Sequence, residues 1–171
     1  MKAKSPTESR CIKTEIVLPN DTNTLANLRG GKLLHWIDVA GAIACHRHCG
    51  RVVVTAAVNN VAFEQPIRLG DIVTFEAEVS RAFNTSMEVF IDVSIEHNRN
   101  QTRTTNTAIY TFVAVDQLGN PIEVPELKPE TEKQKQRFDG ALRRRQLSLI
   151  LAGKMKPEEA SELKALFFPE K

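Results

Sequence analysis

One segment, GGKLLHWIDVAGAIACHRHC over residues 30–49, constrains the fold of this chain more than any other. At about 100° per residue it predicts a helix that is apolar on nearly every side, and such a helix must be covered on several sides. Asp38 lies within its most apolar arc, among residues that are otherwise apolar or small: Leu34, Ile37, Gly41, Ala42 and Cys45. A buried, unpaired carboxylate is costly, so this aspartate needs an explanation.

The segments around the helix favour β-strands. Residues 11–18 alternate apolar and polar side chains, and a loop rich in Asn, Asp, Thr and Gly leads from there to the helix. Four runs rich in β-branched or aromatic residues follow the helix, within residues 51–67, 71–83, 86–98 and 103–116. This order predicts an α+β domain in which a five-stranded antiparallel sheet curls around one long helix.

The composition changes after the turn QLGNP, where prolines and then charged, helix-forming residues take over. We therefore expect a flexible N-terminal tail over residues 1–10, one domain over residues 11–116, and a largely helical C-terminal extension over residues 117–171. The basic run RRR at residues 143–145 is typical of a solvated helix face, and it is also suited to a phosphate-bearing ligand or a partner.

Composition excludes several classes of protein. No apolar run approaches the roughly 18 residues of a membrane-spanning helix, and the polar N-terminus does not resemble a secretory signal, so we expect a cytoplasmic protein. The formal charge of +2, from 23 basic and 21 acidic residues, gives no general reason for nucleic-acid binding. Cys11, Cys45 and Cys49 fit free thiols in a reducing compartment.

Asp38 has two interpretations. It could lie at a partly exposed helix edge or cap a neighbouring loop, or it could be a general base or nucleophile in a dry crevice where Gly41 leaves room for a ligand. Gly30 and Gly31 begin the helix, and the free N–H groups of its first turn could face a carbonyl oxygen. A glycine pair followed by a lone helical acid favours catalysis more specifically than either feature alone.

Other chemical motifs are weak or missing. The sequence CHRHC suggests a metal site, but only Cys45 and Cys49 share a helix face, so we predict no metal. The chain has no G-x-S-x-G elbow, no P-loop and no G-x-G-x-x-G motif.

The order of elements and the segment ANLRGGKLLHWIDVAGAIACHRHC together resemble the hotdog-fold acyl-CoA thioesterases. They are most similar to the acyl-CoA hydrolase group that includes the brain cytosolic acyl-CoA hydrolase and bacterial broad-specificity enzymes. The resemblance covers roughly residues 11–145 and includes VVVTAAVNNVAFEQPIRLGDIVTFEAEV and VPELKPETEKQKQRFDGALRR. It implies hydrolysis of fatty acyl-CoA to free fatty acid and CoA, with no cofactor because CoA is part of the substrate and product.

The resemblance also implies roles for individual residues. Asp38 matches the acid that activates water or attacks the thioester, Asn27 matches the asparagine that positions the reacting groups, and Gly30 and Gly31 match the glycine pair at the thioester carbonyl. CoA contacts are expected at Arg68, Arg81, Thr85 and Ser86. An acyl tunnel is expected at Leu34, Ile37, Val61 and Phe63.

In that group the active site forms between two hotdog units, so a single-unit chain implies a homodimer, and related enzymes assemble further into trimers of dimers. Two other classes stay open: a hotdog dimer that binds acyl-CoA without turning it over, and a structural dimer whose basic C-terminal helices recruit a partner. Dehydratase chemistry through His35, one turn before Asp38, ranks low because the surrounding segment resembles the thioesterases.

Overall fold

The computed structural model describes residues 1–62, 64–96 and 102–168. Its helices and strands are α1 (Pro6–Ser9), β1 (Cys11–Ile16), α2 (Gly30–Cys49), β2 (Val52–Val61), β3 (Ile72–Ala82), β4 (Ser86–Glu96), β5 (Thr102–Val115), α3 (Glu132–Leu151) and α4 (Ser161–Phe167). Helix α2 has the bounds that the sequence predicts. Within the described residues, no helix is long and apolar enough to cross a membrane.

The five strands form one antiparallel sheet in the order β1-β3-β4-β5-β2, so β1 and β2 are its edge strands. Helix α2 lies against one face of this sheet and contacts all five strands. The predicted α+β fold, a five-stranded antiparallel sheet around one long helix with a helical C-terminal extension, is confirmed.

Side chains at alternate positions of the central strands are buried and form the core. One face of β3, β4 and β5 presents fully buried side chains to α2, among them Phe75, Val89 and Ala108. Gly41 brings the helix close to the sheet, because a Cβ atom there would lie 2.9 Å from Cε2 of Phe112. Each large apolar side chain buried this way stabilises the fold by about 1.5–3 kcal/mol.

The N-terminal residues, which the sequence assigns to a flexible tail, include helix α1. The Lys4 N–H donates to the carbonyl of Glu126 at 3.0 Å, and the Lys128 N–H donates to the carbonyl of Lys4 at 2.9 Å. Ser5 and Glu8 form a capping box at the start of α1. Because α1 is only four residues long, it has no periodic signal that a sequence pattern could show.

The chain divides into two compact units, Met1–Lys128 and Pro129–Lys171, whereas the sequence suggests a boundary near Asp116. Residues 117–128 belong to the first unit because Ile122 donates to the carbonyl of Ala114 at 2.9 Å and Val124 donates to that of Asn84 at 3.0 Å. In the second unit, Thr131 caps α3 by accepting from the Gln134 N–H.

Candidate active site

The start of α2 leaves backbone donors open. Arg29 is the N-cap residue and its side chain makes no capping hydrogen bond, while the Lys32 and Leu33 N–H groups reach back to its carbonyl at 3.0 and 3.1 Å. The N–H groups of Gly30 and Gly31 have no partner among the residues that the structure describes. A Cβ atom at Gly31 would meet nothing within 4 Å. Two donors at the positive end of a helix are therefore without a partner, and the space beside Gly31 is open.

The loop before α2 is held by its own hydrogen bonds and by the segment before β3. Asn23 Oδ1 accepts from the N–H groups of Leu25 at 2.9 Å and Asn27 at 3.2 Å. Asn27 also forms an antiparallel bridge with Arg68. The Asn27 side chain makes no hydrogen bond within the described part of the chain. Asn23 thus shapes the loop, and Asn27 presents a free amide.

A pocket of about 300 Å³ opens beside the helix start. Its wall comes from the helix and from the segment after β2, with lining residues Leu28, Gly30, Leu33, Gln65, Pro66 and Ile67. The Leu28 N–H donates to the carbonyl of Ile67 at 2.7 Å and so joins the two segments. The mainly apolar lining and the glycine suit a ligand with an apolar group and a carbonyl.

Asp38 lies partly buried in the middle of α2, where its Oδ1 accepts a hydrogen bond from Thr55 Oγ1 at 2.6 Å. Thr55 is an exposed residue of β2, opposite Phe112 of β5. The carboxylate also acts on Tyr110, because burial, and then the negative charge of Asp38, raise the pKa of that phenol to about 12. Asp38 is therefore neither unpaired nor fully enclosed, and one of its oxygens is oriented by a hydroxyl donor.

Thr55 is absent from the residues that the sequence pointed to. The signal available in the sequence was a hydroxyl side chain inside the apolar run VVVTAAV. In the structure this threonine pairs with Phe112, which faces the core. Without the register of β2 against β5, nothing in the sequence pairs this threonine with a residue on the helix.

Asp38 and the helix-start donors are too far apart to serve one carbonyl group within a single chain. Gly31 and Asp38 are two turns apart on one helix face, which separates them by about 10 Å along the axis. A carbonyl and its attacking nucleophile must both lie within about 3 Å of the groups that act on them. One chain therefore cannot bring both groups to the same carbonyl.

The other predicted contacts fall in separate places. Arg68 lies beside Asn27 at the helix start, but Arg81, Thr85 and Ser86 lie at the β3–β4 turn. The length of β3, about 30 Å, separates the two groups in one chain. Of the predicted tunnel residues, Ile37 is fully buried and Leu34 and Val61 are partly buried, while Phe63 lies outside the described residues.

The histidines and cysteines at the end of α2 have separate partners. His46 Nδ1 lies 2.8 Å from the carbonyl of Arg51, which also accepts from Cys49 Sγ at 3.7 Å, and His48 Nε2 lies 2.8 Å from that of Pro125. Burial raises the pKa of the Cys45 thiol well above its usual range. No group of three or more His, Cys, Asp or Glu side chains in the described ranges is placed to hold a metal ion.

Comparison with known proteins identifies the family. The family model described as the thioesterase superfamily matches residues 26–101. The uncharacterized acyl-CoA thioester hydrolase YkhA of Bacillus subtilis (strain 168) is 43% identical over 128 residues, which make up 74% of this chain and 74% of that protein. The chain belongs to the thioesterase superfamily. Its sheet wrapped around α2 is a single hotdog domain.

Further members of the superfamily are similar over most of the chain. The cytosolic acyl coenzyme A thioester hydrolase of Rattus norvegicus is 32% identical over 128 residues, 72% of this chain and 33% of that protein. The acyl-CoA hydrolase of Staphylococcus aureus, solved with butyryl coenzyme A, coenzyme A and coenzyme A disulfide, has a TM-score of 0.82 at 36% identity and covers 95% of this chain and 99% of its own. The resemblance drawn from the sequence is confirmed.

Other solved structures are also similar to this chain. An apo-hexameric acyl-CoA thioesterase has a TM-score of 0.85 at 34% identity, over 89% of this chain and 98% of its own. Further structures of the Staphylococcus aureus enzyme carry alanine in place of an aspartate, a threonine or an asparagine.

Proposed function

We propose that this chain hydrolyses acyl-CoA thioesters to free fatty acid and CoA. The observation that carries the proposal is the combination of a helix start with two open N–H donors and a partly exposed carboxylate, Asp38, oriented by Thr55. Its relatives, named as acyl-CoA hydrolases, support the substrate class. The cytosolic relative supports action in the cytoplasm.

In the proposed reaction the thioester carbonyl oxygen accepts hydrogen bonds from Gly30 and Gly31, which stabilise the charge that develops on it. Asp38 either takes a proton from water as the water oxygen bonds to the carbonyl carbon, or attacks that carbon itself. The carbonyl forms again as the carbon–sulfur bond breaks. After direct attack, water then hydrolyses the mixed anhydride on Asp38, which releases the fatty acid and restores the carboxylate. An ordinary thiol has a pKa of about 8.5, so CoA leaves as its thiolate without a strong acid.

A homodimer would complete the site, because two turns of α2 separate its halves within one chain. Strand β2 supplies a surface for pairing, since its outer edge has no partner strand among those described and Val52, Val54 and Val58 are 64%, 47% and 53% exposed. Long apolar edge strands are usually covered. Thr55 also lies on β2, so pairing there would place Asp38 at the dimer interface. The hexameric neighbour supports further assembly into a trimer of dimers.

The substituted residues of the Staphylococcus aureus enzyme support this set of side chains. Its aspartate and threonine are seventeen positions apart, which is also the spacing of Asp38 and Thr55. Its asparagine precedes the aspartate by fifteen positions, the spacing from Asn23 to Asp38. We therefore add Asn23, which fixes the loop, to the site. The spacing does not point to Asn27, whose free amide we propose on its own geometry as the group that positions the reacting groups.

The CoA contacts of the proposal follow from the same geometry. Arg68 lies beside Asn27 and could form charge-assisted hydrogen bonds with a phosphate of CoA. Arg81, Thr85 and Ser86 belong to the other end of β3, so they could contact the same CoA only if they came from a different chain. The pocket at the helix start would receive the acyl group, and Leu34, Ile37 and Val61 would extend its apolar surface.

The test is to follow CoA release with a thiol-reactive dye for the wild type, Asp38→Asn and Thr55→Val. Removing the carboxylate should lower kcat by at least about a hundredfold, the scale of an acid–base group. Losing the orienting hydroxyl should lower kcat by about tenfold. Thr14→Val is the matched control, because it removes a threonine of β1, the opposite edge strand, whose hydroxyl pairs with Thr74 of β3.

Equal rates for the wild type and Asp38→Asn would contradict the mechanism. A wild type that binds CoA but releases none from any acyl-CoA would contradict the enzymatic function and favour the acyl-CoA-binding module.

A further inference from the structure

Asn106 is a buried amide whose hydrogen bonding is half complete. Its side chain is 2% exposed, and its Oδ1 accepts from the Glu64 N–H at 2.9 Å. Its Nδ2 is buried and has no partner within the described ranges. Because Glu64 can only donate from its N–H, the oxygen and nitrogen of this amide are assigned unambiguously. A buried donor left unpaired is costly and requires an explanation.

The side chain lies on the sheet face that α2 covers. Asn106 pairs with Val93 of β4, which is fully buried, and it shares its face of β5 with Ala108 and Tyr110. Tyr110 lies 3.5 Å from the carbonyl of Leu34, near the first turns of α2. Phe112, further along β5, packs against Gly41, which lies further along the helix. Asn106 precedes both Tyr110 and Phe112 on the strand, so it lies toward the helix start.

The backbone is irregular at this point. Val93 pairs with Asn106 but the next residue of β4, Ser94, pairs with Thr104, so β5 carries one extra residue immediately before Asn106. Such bulges often change the direction of a side chain and are common next to active sites. The bulge supplies a second, independent reason to look for a role of Asn106 beyond packing.

A hydrogen bond ties Asn106 to the pocket at the helix start. Its partner, Glu64, directly precedes Gln65, Pro66 and Ile67, which form one wall of that pocket. Gly30, with its open N–H, contributes to the same pocket. The amide oxygen therefore holds the residue next to that wall, and the unpaired Nδ2 is the part of Asn106 left for a ligand.

We propose that Asn106 Nδ2 donates a hydrogen bond to an oxygen on the acyl part of a bound acyl-CoA. The proposal rests on the proposed function and adds a ligand contact to it. An uncharged buried donor recognises a carbonyl or hydroxyl oxygen, whereas a plain hydrocarbon leaves it unpaired. The oxygen is either the thioester carbonyl or a substituent further along the acyl chain.

Calorimetric titration of the full chain with CoA compounds that cannot be hydrolysed tests this inference. The ligands are CoA, a plain five-carbon alkyl thioether of CoA, the corresponding ketone, and the corresponding hydroxyalkyl thioether. The wild type should bind the ketone or the hydroxyalkyl compound about tenfold more tightly than the plain thioether. Preference for the ketone identifies the thioester carbonyl as the acceptor, and preference for the hydroxyl identifies a chain substituent.

Asn106→Leu should abolish the preference while leaving the affinity for CoA unchanged, and Asn106→Ala provides a second variant if the first does not fold. The matched control is Asn59→Leu, which breaks a hydrogen bond to Thr111 on the opposite face of the sheet and should leave the preference intact. Thermal unfolding separates a structural role from a binding role.

An unchanged preference in both Asn106 variants would overturn the inference, and so would a wild type that binds all four ligands without preference. A loss of thermal stability with the preference intact would assign Asn106 to structure alone. Failure of the wild type to bind any CoA compound would overturn the proposed function and this inference together, an outcome distinct from all of the others.

Discussion

The two ends of α2 differ in whether their end groups have hydrogen-bond partners. Every helix end has backbone groups without an intrahelical partner. At the C-terminal end, Gly50 adopts a left-handed conformation with φ of 66° and donates to the carbonyl of His46 at 2.7 Å. Lys4 Nζ donates to the carbonyl of Arg47 at 2.8 Å. His48 is fully buried against Pro125. The protein itself thus supplies partners for two carbonyl groups at this end, while His48 Nδ1 is buried without a partner among the described residues.

At the N-terminal end, Gly30 and Gly31 are exposed and their N–H groups have no partner in the described part of the chain. The acidic residue that usually stabilises a first helical turn is also missing there. The protein thus supplies partners at one end of this helix and leaves open, at the other end, the donors that the proposed chemistry uses. Substitutions at the two ends should therefore affect different measurements.

Gly31→Val should have the largest effect and should affect activity alone. Because a Cβ atom at Gly31 meets nothing within 4 Å, the fold accommodates the side chain, which would instead occupy the space that we propose for the thioester carbonyl. Removing access to an oxyanion donor typically lowers kcat about a hundredfold or more. The measurement is kcat/KM beside the unfolding temperature. Wild-type activity in this variant would show that the open helix start is not the carbonyl site.

His48→Leu should alter the pH dependence of stability at the closed end. Burial lowers the pKa of His48, while the hydrogen bond to Pro125, the smaller influence, raises it. Below about pH 6.5 the unfolded chain takes up a proton that the folded chain does not, so wild-type stability falls as the pH decreases. The variant should lose up to about 1.4 kcal/mol of that dependence per pH unit.

Denaturant unfolding between about pH 7 and about pH 5 measures this slope, a range chosen around the ordinary histidine pKa. His46→Leu is the control, because His46 is exposed on the same helix end. Equal slopes for the wild type and His48→Leu would contradict a buried, neutral His48.

Gly50→Ala should have the smallest effect and should affect stability alone. A non-glycine residue in the left-handed region costs about 1 kcal/mol, so unfolding should shift by that amount with kcat/KM unchanged. Gly31→Ala is the comparison at the open end, where no such cost applies because Gly31 lies within a helix. A stability loss in Gly31→Ala equal to that in Gly50→Ala would remove the distinction between the two ends.

The sequence by itself determined the elements whose signals are local. The bounds of α2 followed from an apolar run that begins at a glycine pair and ends before Gly50, and the strands followed from β-branched runs between turns. It also pointed to Asp38 and the glycine pair, because an acid in an apolar helix and glycines at a helix start are visible along the chain. The family resemblance rested on the same segments.

Only the tertiary structure decided how distant residues meet. The pairing of Thr55 with Asp38 depends on the register and bulges of β2 against β5, and the half-satisfied amide of Asn106 depends on where the chain after β2 crosses β5. The closing of one helix end by Lys4 and Pro125 likewise joins residues far apart in sequence. Hydrogen bonds of this kind leave no periodic pattern, because their geometry exists only once the sheet has wrapped around the helix.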